Sequence, residues 1–127
     1  MSTLKVNTIQ DTSGGSSSTP AQIEQGRAKV WVNFNGTGTV AIQDSYNVSS
    51  ITDSATGKYY VNFSITMGNA NYALAVGGYY NTGDTFGSSR VHNRRTALTT
   101  TQCGVIACNN NDDSRDVERA WVTVFGD

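Results

Sequence analysis

Residue types that support catalysis are few in this chain of 127 residues. A nucleophile, a base and an orienting acid can be assembled from Ser88, His92 and Asp84, but serine is abundant and no strained Gly-x-Ser-x-Gly turn is present. Glycoside hydrolysis needs two carboxylates at a defined separation, and the acidic residues here fall mostly in loops. The sequence therefore predicts a protein that is not an enzyme and that uses no cofactor.

Metal binding is the next chemistry that the residues suggest. Asn110, Asp112, Asp113 and Asp116 carry the oxygen ligands that calcium prefers, but they lack the spaced Asp-x-Asp-x-Asp-Gly pattern. The favoured interpretation is a solvated loop whose side chains bond their own backbone. Two thiols and the single His92 make a poor zinc site. We expect no metal centre.

The two cysteines lie in the run Cys103-Gly-Val-Ile-Ala-Cys108. Five residues apart on one strand, they point to opposite faces, so a bond between them needs a bulge or turn at Gly104. The N-terminus lacks the features of a secretory signal, and without an oxidising compartment reduced cysteines are favoured over a disulfide.

Aromatic and basic residues offer binding surfaces. Trp31, Tyr79, Tyr80, His92 and Arg94 have the amphipathic character of a platform for sugar or protein, since aromatic faces bury apolar area while their edges form hydrogen bonds. The favoured alternative for Trp31 is packing against a second subunit or sheet. The candidate receptor or partner surface comprises Tyr79, Tyr80, His92, Arg94, Arg95, Asn110 and Asp112.

Composition limits the function classes. The formal net charge is -1, and charged residues make up 15% of the chain, against roughly 25% in typical soluble domains. A dedicated nucleic-acid binder would carry a basic excess on one face. No apolar run reaches the roughly 20 residues that span a bilayer, so we expect a soluble chain, made in a cytoplasm, without membrane insertion.

Strict alternation of apolar and polar residues indicates the elements that must position these side chains. Ala28, Val30, Val32 and Phe34 share one face of a strand, with Trp31 on the other, and a turn at Asn35–Gly38 leads into a strand over Thr39–Ile42. Tyr59, Val61, Phe63 and Ile65 share a face of the clearest strand. Further strands are predicted over Tyr72–Tyr79, Arg90–Leu98, Thr99–Ala107 and Ala120–Phe125.

Seven or eight short strands joined by turns predict an all-β fold, a compact antiparallel sandwich or barrel-like domain. A slip in period between Val48 and Ile51 suggests a bulge or bend. Tyr72, Leu74 and Val76 should face inward, and Gly77-Gly78 permits a kink or a close backbone approach.

The N-terminal region is predicted to be an extended arm. Leu4–Ile9 has the pattern of a short strand, and Asp11–Ser18 that of a flexible linker, so residues 1–18 form the arm and residues 19–127 a single β domain. Thr19-Pro20-Ala-Gln22 predicts a capped helix that ends at a left-handed Gly26. The residues proposed for oligomer or virion attachment are Leu4, Val6, Ile9, Ile23 and Trp31.

The run from Gly26 to Asp53, GRAKVWVNFNGTGTVAIQDSYNVSSITD, resembles a module of virion proteins of tailed bacteriophages, particularly marine and cyanobacterial ones. Leu4–Gly14 looks like the usual lead-in, and the likeness continues through Tyr59–Phe63 and Asn69–Ala73, about the first 75 residues. The resemblance implies a virion component, often labelled a tail fibre or structural protein. It supplies no catalytic motif, and the remainder, Tyr80–Asp116, is where receptor or partner choice is expected.

Together these features predict a non-enzymatic structural protein of a tailed-phage virion, assembled in the host cytoplasm. We expect it to self-associate, most simply as a trimer, and to contact other virion proteins through its N-terminal arm. Two alternatives remain open. One is a receptor-binding fibre tip that recognises host-surface glycan or protein, and the other is a capsid decoration or head-fibre protein.

Overall fold

The computed structural model of the chain describes residues 1–80, 90–93 and 98–127. The elements are β1 (Ile9–Gln10), β2 (Ser17–Ser18), α1 (Pro20–Gly26), β3 (Val30–Asn35), β4 (Ala41–Tyr46), β5 (Val48–Ala55), β6 (Lys58–Phe63), β7 (Ala73–Tyr79), β8 (Arg90–Asn93), β9 (Gln102–Cys108) and β10 (Arg119–Phe125). Two four-stranded antiparallel sheets face each other: the first has the strand order β4-β3-β10-β7 and the second β5-β6-β9-β8. The all-β antiparallel sandwich is thereby confirmed.

The core follows from the alternation in the strands. Successive side chains of a strand point to opposite faces, and one face of each sheet is turned toward the other sheet. The predicted inward residues of β3 and β6 are buried, and Phe34 packs edge to face on Tyr59 with ring centroids 5.2 Å apart. The buried core is completed chiefly by Tyr72, Val105, Ala120, Val122 and Val124.

The two sheets are connected at one side through Asn47, between β4 and β5. Asn47 has a φ of 57°, a left-handed conformation that asparagine tolerates, and its side chain donates a hydrogen bond to the Lys29 carbonyl at 2.7 Å. In β5 the register shifts between Val48 and Ser50, which confirms the predicted slip in period. The chain therefore changes sheets where the sequence breaks its alternation.

Tyr59 joins three chain segments at one end of the sandwich. Its hydroxyl lies 3.0 Å from the Gly36 carbonyl and 2.9 Å from Asp116 Oδ1. The same Asp116 oxygen accepts the Gly57 N–H at 2.7 Å, and the Gly36 N–H donates to the Val117 carbonyl at 2.8 Å. We call this group the Tyr59 junction, formed by Gly36, Gly57, Tyr59, Asp116 and Val117.

The junction leaves no room for larger residues at its two glycines. A Cβ on Gly36 would lie 2.4 Å from the Tyr59 hydroxyl oxygen, and one on Gly57 would lie 2.5 Å from the Ala107 carbonyl oxygen. Gly57 also has a φ of +66°, which residues with a side chain rarely adopt. Both positions therefore require glycine for space, and Gly57 for backbone conformation as well.

The N-terminal arm differs from the prediction. Within the segment predicted as a strand, Leu4–Ile9, only Ile9 is in a strand, because β1 pairs with the two-residue β2 and with no other strand among the described residues. The predicted linker instead forms the hairpin between β1 and β2. Asp11 stabilises its turn by accepting hydrogen bonds from Ser13 and from the Gly15 N–H, and Gly14 supplies a positive φ.

The short helix begins and ends where the sequence predicts, over Pro20–Gly26, but its left-handed cap is absent. Thr19 and Gln22 form the reciprocal capping box, with hydrogen bonds of 2.8 and 3.2 Å. Gly26 does not adopt the left-handed conformation, because the chain leaves the helix through extended Arg27, whose side chain pairs with Glu24. Ile23 is exposed rather than packed on the sheet.

The other strands overlap their predicted positions, but β4 covers Ala41–Tyr46 rather than Thr39–Ile42, and β9 begins at Gln102 rather than Thr99. Tyr72 is buried, and Leu74 and Val76 pack against the core, as expected. A Cβ on Gly78 would lie 2.6 Å from Val91 Cγ2, so the Gly77-Gly78 pair does permit a close approach. The predicted Arg90–Leu98 strand is present over Arg90–Asn93 with Val91 buried, and residues 94–97 lie outside the described part of the chain.

We expect Gly36→Ala to destabilise the fold because the added methyl group collides with the Tyr59 hydroxyl. The free energy of unfolding, measured by denaturant titration, should fall by about 2 kcal/mol or more, since the collision displaces a buried hydrogen-bonded group. Gly26→Ala is the matched control, because nothing lies within 4 Å of its added Cβ. Equal stability of the two variants would contradict the role given to the junction.

Candidate functional site

The outer face of the first sheet carries a row of large aromatic side chains. Because Val30, Val32 and Phe34 point inward, Trp31 must point outward, and the same alternation in β10 turns Trp121 outward between Ala120 and Val122. Trp31 lies opposite Tyr46 of β4, and Tyr79 lies on β7, next to the strand that carries Trp121. We call Trp31, Tyr46, Tyr79 and Trp121 the aromatic face.

Trp121 has the clearest geometry of the four. It lies opposite Gly77, and a Cβ built there would be 2.5 Å from the indole Nε1 and 2.6 Å from Cε2. The ring therefore rests against the Gly77 backbone, in the space that a side chain would occupy. Trp121 remains 44% exposed and Tyr79 45% exposed. The glycine thus makes room for an exposed aromatic ring on the sheet surface.

Polar groups adjoin these rings along the same row. Asn33 lies opposite Trp121 on one side and opposite Asp44 on the other. Its Oδ1 atom is enclosed and has no hydrogen-bond partner among the described residues. Asp44 is exposed, and its carboxylate accepts the N–H of its neighbour Ser45 at 2.8 Å. The aromatic face is therefore amphipathic rather than purely apolar.

A depression of about 410 Å³ lies beside this face, where α1 meets the ends of β7 and β10. Phe125 contributes an aromatic ring, and the carboxylate of Asp127 holds the Gln25 amide. Asn69 and Asn71 add two further amides. Amides around one aromatic ring are groups that hydrogen-bond and stack on uncharged polar ligands.

The residues predicted for attachment are mostly exposed. Leu4 is 82% and Ile9 54% accessible, and Val6 and Ile23 are also exposed, so none of the four belongs to the core. Trp31 is half-buried on the outer face of β3, on the side of the sheet that the alternation predicted. The structure places these side chains where another molecule can reach them, but it brings only Trp31 into the aromatic face.

The predicted receptor surface is divided between different parts of the molecule. Tyr79 lies on the aromatic face, whereas Tyr80 is partly buried beneath the Arg115 guanidinium, whose carbon lies 3.7 Å from the ring centroid. His92 lies on β8 of the second sheet. Tyr79 and Tyr80 therefore do not form one platform, because neighbouring residues at a strand end point in different directions. Arg94 and Arg95 lie outside the described residues, as do Asp84 and Ser88.

The loop after β9 is organised by its own side chains. Asn109 Oδ1 accepts the N–H groups of Asn111 and Asp113, both at 2.9 Å, and Arg90 pairs with Asp112 at 2.9 Å while reaching the Asn110 carbonyl. Side chains that bond their own loop backbone are the arrangement that the sequence favoured over a calcium site. No group of three or more potential metal-ligating acids, cysteines and histidines occurs among residues 1–80, 90–93 and 98–127.

Both cysteines are free, which confirms the predicted reduced state. Cys103 is fully buried in the core, and burial raises the pKa of its thiol to about 12. Cys108 is also buried, with its sulfur 3.5 Å from His92 Nε2. Burial of both thiols makes them structural components of the sandwich.

Trp121 and Tyr46 are the residues of the aromatic face that sequence reasoning did not single out. Trp121 alternates with Ala120 and Val122, so its outward direction was available from the sequence once β10 was recognised. The sequence did not show that β10 pairs with β3 and β7. This pairing brings Trp121 beside Trp31 and Tyr79. Strand order between distant segments has no local signal.

Comparison of the chain with protein-family models, with curated protein sequences and with solved structures finds no match. Among the described residues, the structure contains no helix with the length and apolar character needed to cross a bilayer.

We expect stability to decrease in alkaline solution because buried groups, Cys103 and Tyr72 among them, must lose protons. Burial raises the pKa of Cys103 to about 12 from an ordinary 9.0, and that of Tyr72 to about 12 from 10.0. Their neutral forms favour the folded state fully below pH 9, and this contribution is lost as the pH rises toward 12. Denaturant titrations at intervals from pH 8 to pH 11 measure the change.

The variant Cys103→Ala separates the two groups in that experiment. This variant lacks the thiol, which titrates near pH 9 in the unfolded chain. The decrease in the free energy of unfolding of the variant should therefore begin near pH 10, where tyrosine titrates in the unfolded chain. A free energy of unfolding that stays constant up to pH 11 in the original chain would contradict the burial of these groups.

Proposed function

We propose that this chain is a non-enzymatic structural component of a tailed-phage virion, and that it self-associates through the aromatic face of its first sheet. The N-terminal arm attaches each copy to neighbouring chains of the particle. The phage context rests on the resemblance of residues 4–73 to a virion module. Self-association rests on the surface of the sandwich, and the oligomer that we propose is a trimer.

The observation that carries the proposal is the exposure of Trp121, Tyr79 and Tyr46 on one sheet, next to half-buried Trp31. Apolar area removed from water contributes roughly 25 cal/mol per Å², so covering such rings stabilises an assembly. Tryptophan and tyrosine are also the residues most enriched where interfaces hold their binding energy. A face of this composition is therefore more typical of a contact surface between proteins than of a surface exposed to solvent.

Replacement of Trp121 tests this assignment. Trp121→Ala should weaken self-association about tenfold or more, as measured by sedimentation over a range of protein concentrations, because a central aromatic contact is lost. Tyr60→Ala, on the outward-facing side of β6 in the second sheet, is the aromatic control and should leave the association constant unchanged. Circular dichroism of both variants reports whether the sandwich is intact.

Two results would overturn the proposal. The first is a chain that remains a monomer in sedimentation at micromolar concentration. The second is an oligomer whose association constant is weakened by Tyr60→Ala and not by Trp121→Ala, because its interface would then lie on the second sheet.

Receptor binding is a second candidate function, and the depression beside α1 is the observation that favours it. Its volume lies in the range of small-ligand sites, and Asn69, Asn71 and Phe125 are among its lining residues. These groups suit the hydroxyl groups and apolar faces of a sugar on the host surface. Asn71→Ala should abolish adsorption of the purified domain to host cells if this function holds, and leave its oligomeric state unchanged.

A capsid decoration or head-fibre protein would use the same fold and the same contact surface at another place on the particle. Electron microscopy of phage particles labelled with an antibody to this chain distinguishes a position on the head from one on the tail.

A further inference from the structure

We infer that the N-terminal arm of one copy adds as an extra strand to the free edge of β4 in a second copy. The inference rests on the proposed self-association and identifies the segments that make the contact. Strand addition of this kind supplies main-chain hydrogen bonds for affinity, while alternate side chains select the partner.

The acceptor is the outer edge of β4. This strand stands last in the first sheet, so within the described residues it pairs with β3 on one side and with no strand on the other. It contains neither lysine nor proline, two residues that often protect a sheet edge, although its register with β3 shifts between Asn33 and Phe34. Ile42 and Tyr46 on this strand are both exposed.

The donor is the segment Leu4–Gln10. Its apolar side chains are exposed, and β1 uses only one of its two edges, to pair with β2. Fully extended, this segment spans about 23 Å, which matches the length of about 20 Å for the six residues of β4. The two segments therefore fit each other in length, and both have backbone groups available for pairing.

The side chains of the arm and of β4 also match in chemistry on each side of the two strands. On β4, Ile42 shares the inward side with Phe34, its neighbour on β3, whereas Asp44 lies on the outward side. An extended arm turns Leu4 and Val6 to one side and Lys5 to the other. Placed with its apolar side inward, the arm sets Leu4 and Val6 beside Ile42.

The same placement brings opposite charges together on the outward side. Lys5 of the arm then lies near Asp44 of β4, and Ile9 lies on the side of the aromatic face. Neither Lys5 nor Asp44 forms a salt bridge within the described part of the chain. Charge complementarity therefore accompanies the apolar match and favours one orientation of the arm.

Contact area argues for a second copy as the source of the arm. Four strands of about six residues present a flat face of about 400 Å², half of the roughly 800 Å² per partner in a stable interface. An arm that crosses to the neighbour extends the contact beyond the aromatic face and brings it closer to that size. The arm and the aromatic face would then form one continuous interface, because β4 carries Tyr46 of that face.

Disulfide cross-linking between two differently tagged full-length chains tests the inference. One chain carries Leu4→Cys or Val6→Cys, which together cover two registers of pairing, and the other carries Ile42→Cys. Cys103 and Cys108 are buried and should not interfere. Mild oxidation of the mixture should produce a reducible species that contains both tags. The control pair, Lys5→Cys with Ile42→Cys, places the thiols on opposite sides and should give none.

Each outcome separates this inference from the proposed function. If the unmodified chain is an oligomer but the arm and β4 cysteines do not cross-link between chains, the arm inference is wrong and self-association stands. A chain that is monomeric throughout overturns both proposals.

A charge exchange gives an independent measurement in full-length chains. Lys5→Glu should weaken association about two- to fivefold at low salt, the effect expected for one exposed ion pair, and less at high salt. The double variant Lys5→Glu with Asp44→Lys should restore the original association constant. Failure of the exchange to restore it would count against the pairing of Lys5 with Asp44.

Discussion

The sandwich depends on one buried hydroxyl group. Tyr59 is fully buried, and burial with its Asp116 contact raises the pKa of its phenol well above the ordinary range, so the group stays neutral. A hydroxyl removed from water is costly unless it is hydrogen-bonded, and here the partners come from Gly36 and Asp116, which lie far apart in the sequence. The bond therefore requires the β3–β4 turn and the loop after β9 to be in place together.

The junction also explains why the loop after β9 holds its shape. Asp116 is hydrogen-bonded to both Tyr59 and Gly57, which anchors one end of the loop to the sandwich, while Asn109 organises the other end. The acidic residues of this loop therefore have structural partners. In the same way, Arg115 covers Tyr80 and removes it from the surface that the sequence suggested for binding.

With the core closed in this way, the surfaces left for function are those of the sheets and the arm. The inward faces hold valine and alanine side chains together with the rings of Phe34, Tyr59, Phe63 and Tyr72, whereas Trp31 and Trp121 lie outside the core. A chain with this arrangement has little apolar area left to bury within itself. The proposed assembly, in which copies cover one another's aromatic faces and edges, agrees with that distribution.

Local pattern determined a large part of the fold. The alternation in β3 and β6 identified their buried faces, the slip after Val48 marked a change in register, and the capping box at Thr19 marked the start of the helix. Each of these features depends on neighbours within a few residues, so the sequence alone contains the signal. The prediction of a strand over Leu4–Ile9 was wrong. An alternating segment forms a strand only where a partner strand is available, and β2 offers only two residues for pairing.

The sequence by itself determined the all-β class and the inward faces of the strands. Only the tertiary structure decided that Trp31, Trp121 and Tyr79 share one face and that Tyr80 does not join them. It also decided that Asp116 accepts hydrogen bonds at the edge of the core. The physical reason is that these groupings depend on which strands pair across long stretches of chain. That pairing is selected by the packing of the whole core and leaves no local trace in the residues themselves.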